Sequence, residues 1–141
     1  MKLKYYLFYW LPVYLYAGLI FFLSSLSDPT EKIGVKINFL FADKITHFFI
    51  YGFLCFLIIR ALSFSKKNFS IKSIYLISII FSTLYGITDE IHQSFVPLRS
   101  VEISDIFANF LGAVFCAFLI QNTNYKYKIT NNNPLQSKAI K

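Results

Sequence analysis

Four stretches of this chain run longer without formal charge than a small soluble fold can accommodate. Tyr5 to Leu26 holds no Asp, Glu, Lys or Arg over 22 positions. In Ile45 to Ile59, only His47 titrates near neutrality, and Arg60 closes the run. Ser73 to Thr88 lies between Lys72 and Asp89. Ile106 to Ile120 is 15 residues long and reaches spanning length only by extending back through Ser104 and Asp105 toward Val101. A helix needs about 20 mainly apolar residues to cross about 30 Å of hydrocarbon. Within lipid every backbone amide must be satisfied inside its own segment, so each run is predicted to be helical. A 141-residue chain that is 56% hydrophobic and only 15% charged has more apolar surface than one small core can bury. The expectation is an all-α integral membrane bundle of four transmembrane helices, residues 1–121. A polar tail, 122–141, lacks apolar periodicity and is expected to be disordered. The basic opening before the first run resembles a secretory signal, but that run is too long and three more follow, so it reads as a retained helix.

Charge sets the expected orientation. Four crossings place the N-terminus, the segment Arg60–Lys72 and the tail on one side. That side carries ten Lys and Arg and no acid. The other side receives Lys32, Lys36, Lys44 and Arg99 with all seven acids. The positive-inside rule puts the ten-base side, and with it both termini, in the cytoplasm. Tyr5, Tyr6, Tyr9 and Trp10, with Tyr125 and Tyr127, suit the same interface. The net charge of +7 therefore reflects topology and contact with anionic lipid heads. It does not indicate nucleic acid, because the bases sit on short loops and tails without a nucleic-acid-binding motif. Cys55 and Cys116 fall at similar depths within spans, where thiols behave as small apolar groups and contact is possible.

Three polar stripes emerge from the helical runs. Asp43, His47 and Tyr51 stand at i, i+4 and i+8; Tyr85, Asp89 and Gln93 repeat that spacing, with Glu90 and His92 beside them; Asp105, Asn109 and Gly112 follow at i, i+4 and i+7. Each stripe sits at the non-cytoplasmic end of its helix. Lipid offers these groups no partner, so they should face one another or a wet cavity. Lys44 and Arg99 are the available counter-charges, with Arg99 on a tight connection after Pro97, above the cluster. The third helix is expected to end near Phe95, because Pro97 disfavours helix at Val96. Asp43 has two readings, helix cap or member of the stripe. Asp105 belongs inside the fourth helix, and Glu102 suits that helix's positive end. Gly86 and Gly112 permit close helix approach.

On "FFLSS" (Phe21 to Ser25), "DKITHFFIY" (Asp43 to Tyr51), "GITDEIHQSFVPLR" (Gly86 to Arg99) and "DIFANFLGA" (Asp105 to Ala113), the sequence resembles the VanZ-like family of small bacterial membrane proteins. The order and spacing of these words match over roughly residues 10–120. Leu98 stands where the family's turn often has glycine, and Cys116 where a second glycine often follows. The resemblance implies a multi-pass protein of the bacterial cytoplasmic membrane, in a family whose namesake is linked to teicoplanin resistance.

Two functions fit. In the first, the protein binds or modifies an anionic lipid or cell-envelope precursor at the outer leaflet. Asp43, Lys44, His47, Gln93, Arg99 and Asn109 would hold the ligand; Asp89, Glu90, His92 and Asp105 would be acid–base groups or ligands of a divalent metal. Oxygen ligands alone suit magnesium or calcium, and added histidine admits zinc or manganese. In the second, the protein is a non-enzymatic accessory and the cluster is an interhelical lock. A transporter fits less well, because polar groups gather at one face rather than the midplane.

Overall fold

The computed structural model describes residue 4 and residues 6–27, 42–64, 69–99 and 101–123. Lys66, Lys67, Tyr5, Tyr125, Tyr127, the polar tail beyond residue 123 and most of the segment 27–44 lie outside the described residues. Four helices are long and apolar enough to cross a membrane, and no strand occurs among the described residues. Helix α1 runs over Leu11–Ser24, continued upstream by a π-helical turn at Tyr6–Trp10; α2 is Ala42–Ser63, α3 Ile71–Gln93 and α4 Ile103–Gln121. The wide first turn has a local cause. Pro12 lacks an N–H, and its ring crowds the carbonyl four residues earlier, which an expanded turn relieves.

Helix α2 begins at Ala42, so Asp43 lies inside its first turn, as a member of the stripe and not as the cap. Helix α3 is capped by Ser70, whose hydroxyl accepts the Ser73 amide at 3.1 Å, and it ends at Gln93, close to the expected Phe95. Past Gln93 the backbone tightens: Phe95 N–H reaches His92 O at 3.0 Å and Val96 N–H reaches Gln93 O at 3.0 Å. The chain turns at Val96–Arg99, with Pro97 second, Leu98 third at φ 66°, and the Arg99 amide 3.3 Å from Val96 O. That is the type II pattern, which favours glycine at the third position. Left-handed backbone costs a residue with a Cβ about 1–2 kcal/mol, part of which glycine returns through its freer unfolded chain. Replacing Leu98, half-exposed at this corner, by Gly should therefore raise stability by up to about 1 kcal/mol. Unfolding of the purified protein checks this, and a loss of stability would show that Leu98 is held by packing.

The distribution of side chains is inside-out. Phe49, Phe81, Phe107 and Phe118 are exposed, whereas Glu90 is 1%, Asp105 2% and Asn109 0% exposed. Water would not select that arrangement; lipid does. Helices α2, α3 and α4 pack closely around Tyr51, Leu54, Cys55, Ile74, Ala113 and Ala117. Helix α1 lies against this trio with fewer buried residues, namely Val13, Ile20 and Ser24. Tyr85 donates its hydroxyl to Ala17 O at 2.7 Å, and Tyr16 donates to Ile50 O at 3.3 Å. At the end of the bundle away from the cluster, the Arg60 guanidinium sits over the Phe8 and Tyr9 rings, and Tyr9 stacks on Phe64. Cys55 and Cys116 meet thiol to thiol between α2 and α4 as free cysteines, without a disulfide.

Candidate functional site

Glycine sets the separation of α2 and α4. A Cβ on Gly112 would run into the backbone carbonyl of Phe48, and one on Gly52 would lie 3.1 Å from Gly112 O. The two backbones therefore touch one turn from the polar stripes, and short polar side chains span the gap. A Cβ on Gly86 would lie 2.6 Å from Asn109 Nδ2, so the bare backbone of α3 leaves room for that amide.

The polar groups meet at the N-terminal ends of α2 and α4 and the C-terminal end of α3. His47 Nδ1 and Asn109 Oδ1 are 3.1 Å apart, both buried. His47 Nδ1 is also 3.8 Å from Glu90 Oε1, and Nε2 is 3.8 Å from Asp43 Oδ1. Gln93 donates to Asp89 Oδ2 at 3.1 Å. The Tyr51 ring lies parallel to His47, its hydroxyl facing Asp89 without closing a hydrogen bond. At the rim Lys44 Nζ donates to Glu102 Oε2 at 2.7 Å and to Asp105 Oδ1 at 3.1 Å. The Glu102 carboxyl is held below the usual range, first by the Lys44 hydrogen bond and then by the Ser104 hydroxyl.

Among the described residues, several buried atoms have no hydrogen-bond partner: both Glu90 carboxylate oxygens, Asp89 Oδ1, the Tyr51 hydroxyl and Asn109 Nδ2. The Glu102 backbone amide faces Glu90 without a bond closing on either oxygen. Buried polar groups left unsatisfied are costly and few in natural folds, so five atoms in one pocket point to an occupant. Five carboxylates (Asp43, Asp89, Glu90, Glu102 and Asp105) share this end of the bundle with one ammonium, Lys44, a formal imbalance of −4 with His47 neutral and every acid ionised. Two sets of ligand atoms lie within 4.8 Å of one another: Asp43, His47 and Asp105 at the rim, and His47, Asp89 and Glu90 inside.

Of the residues expected to share one site, His92 and Arg99 stand apart from the carboxylates. His92 turns toward α1, with Nε2 2.9 Å from Ser25 Oγ and its ring 4.4 Å from that of Phe21. Arg99 donates Nε to Leu26 O at 3.1 Å and pairs with no carboxylate among the described residues. Both tie α1 to the α3 exit. Glu102, read in the sequence only as a helix-end charge, is the shorter of Lys44's two contacts. Ser25 sits in the "FFLSS" word, but nothing in that word showed which partner it would meet.

A multi-pass helical membrane protein with a buried acid–imidazole–amide pocket at one end of its bundle is thus defined. Residues 3–124 match the family model for VanZ/LLP1, and the chain belongs to that family. Neither a curated protein nor a solved structure gives a match.

Proposed function

We propose that the protein binds the phosphate-bearing head group of an anionic lipid or lipid-linked cell-envelope precursor at the outer face of the bacterial cytoplasmic membrane, and thereby alters lipoglycopeptide susceptibility. The observation that carries this reading is the cluster of buried polar atoms without hydrogen-bond partners among the described residues, together with Arg99 at the α3 exit, which pairs with no carboxylate among those residues. A guanidinium whose terminal nitrogens make no hydrogen bond among the described residues suits bidentate capture of phosphate. The outward direction rests on the ten Lys and Arg assigned to the opposite side, which also puts both termini and the 122–141 tail in the cytoplasm. Family membership supports the envelope setting. Inside the pocket, Asp89, Glu90 and His47 supply acid–base groups next to a bound head group, so chemistry on that group is within reach.

Native mass spectrometry of the protein in nanodiscs containing phosphatidylglycerol tests the reading. Wild type should retain an anionic-lipid adduct. Arg99→Ala should retain about tenfold less at equal folded yield, the effect of losing about 1.4 kcal/mol of charged hydrogen bonding. Equal retention by the variant would remove Arg99 from the site, and no adduct with either protein would sink the reading.

The second reading, an interhelical lock in an accessory protein, is favoured by one set of contacts: Lys44–Asp105 and His47–Asn109 both join α2 to α4. On that reading, changes at these residues lower folded yield and leave lipid retention per folded molecule unchanged.

A further inference from the structure

The pocket contains a contradiction that its occupant must resolve. An anionic head group entering among Asp89, Glu90 and Asp105 meets like charge in a poorly screened interior. Lys44 is already shared between Glu102 and Asp105, so among the described residues His47, 3.8 Å from Glu90 Oε1, is the base beside Asp89 and Glu90. A carboxylate that is 1% exposed, with neither oxygen hydrogen-bonded among the described residues, is stable only beside a cation or carrying a proton.

We propose that His47, Asp89 and Glu90, with the side-chain carbonyl of Asn109, form a divalent-cation site of the manganese or zinc class. Spacing supports a cation. Ligands about 2.1 Å from an octahedral ion stand about 3 Å apart, and somewhat farther apart around a tetrahedral one. The His47 Nδ1 to Glu90 Oε1 separation of 3.8 Å is of that order, and the 3.1 Å hydrogen bond between His47 Nδ1 and Asn109 Oδ1 would give up its proton for the ion to lie between the two atoms. The unpartnered oxygens belong to Asp89 and Glu90, the two carboxylates of the inner set. One imidazole nitrogen among hard oxygens favours manganese or zinc over calcium. With Nδ1 on the ion, Nε2 keeps its proton and faces Asp43, an outer carboxylate placed to orient the ring. Asp43 is exposed and gives the ion an approach from water. The rim set is the weaker candidate, because Lys44 already neutralises Asp105.

The cation deepens the head-group reading, since it turns a pocket that repels phosphate into one that attracts it. That consequence rests on the proposed function, whereas the cation site stands on its own geometry. The test uses the full chain, stripped with a chelator, in phosphatidylcholine nanodiscs. Mn2+ binding is followed by the loss of the free-ion paramagnetic resonance signal, and Zn2+ by elemental analysis after gel filtration. Wild type should hold about one ion per chain, while Glu90→Gln and His47→Ala should bind at least about tenfold more weakly. Asp105→Asn should stay within about threefold of wild type. Unfolding separates binding from misfolding. Glu90→Gln removes an uncompensated buried charge, so it should be at least as stable as metal-free wild type, and only wild type should gain stability with Mn2+.

Folded wild type that retains neither ion at millimolar concentration overturns the site and leaves Glu90 neutralised by a proton. Binding lost in Asp105→Asn but kept in Glu90→Gln moves the ion to the rim set and overturns the assignment as made. An ion retained without any phosphatidylglycerol adduct, in discs that include that lipid, upholds the cation site and removes the head-group reading.

Discussion

Gly112→Ala should destabilise the protein by about 3 kcal/mol, the upper end of what overpacking usually costs, and sharply lower folded yield. The added methyl group points into the Phe48 carbonyl, a backbone atom that cannot rotate aside. Relief requires α4 to move away from α2, and the residues sealed between them, among them Ala113, Cys55 and Leu54, would lose contact together. Small residues matter more in a bilayer than in water, because helices associate there through close packing and polar contacts. Gly18→Ala is the internal control. Nothing lies within 4 Å of its added methyl group, and alanine favours helix by up to about 1 kcal/mol. Denaturant titration of both variants in detergent decides the matter; a Gly112→Ala protein as stable as Gly18→Ala would refute the backbone contact.

Lys44→Met should cost about 3 kcal/mol. The loss is that of stranding a buried charge, because Asp105, 2% exposed, would keep its carboxylate with no cation beside it. Asp105→Asn should be milder, since it removes the charge itself. The double variant Lys44→Met/Asp105→Asn should recover at least half of the single-variant loss. Strict additivity in that cycle would show that the two groups do not interact. The Glu102 arm of the same lysine is half-exposed and solvent-screened, so its share is minor, and it is seen through pH. Its carboxyl titrates below the usual glutamate range of about 4.3. A depressed folded-state value contributes stability above the unfolded value and loses it as pH falls through the lower folded one. Wild type should therefore lose this contribution below about pH 4. Lys44→Met should show a shallower acid limb in that window.

The sequence carried most of the architecture because lipid imposes a strict rule on apolar runs. Tyr5 to Leu26 had one solution, and the structure spans Tyr6–Ser24. Helix ends were less legible. Spacing leaves Asp43 either a cap or a member of the α2 stripe; in the structure Asp43 and Lys44 are both helical, with His47 and Asp105 near enough to receive them. The i, i+4 stripes face one another, and within them His47 meets Asn109 and Gln93 meets Asp89. What spacing could not supply was the direction of each neighbour. His92 lies three positions from Asp89 on the same helix, and that offset is enough to turn it toward α1. Arg99 follows a corner whose shape depends on a left-handed leucine, where sequence propensity argues against the conformation adopted. Glu90 had no visible claim to burial beyond its adjacency to Asp89. It is enclosed because α3 packs against both α2 and α4, a tertiary fact with no local signature.

The attachment of α1 has a consequence for how this chain tolerates change. Its two long tyrosine bonds, from Tyr85 to Ala17 O and from Tyr16 to Ile50 O, end on main-chain carbonyls. Arg99 does the same at Leu26 O. An acceptor of this kind is present whatever side chain the residue carries. Ala17 and Leu26 are therefore free to drift in identity without unfastening the helix, while Tyr85 and Arg99, as donors, are not. Substitution pressure on the seam should therefore follow the donor and not the helix, falling on Tyr16, Tyr85 and Arg99 and sparing Ala17, Leu26 and Ile50.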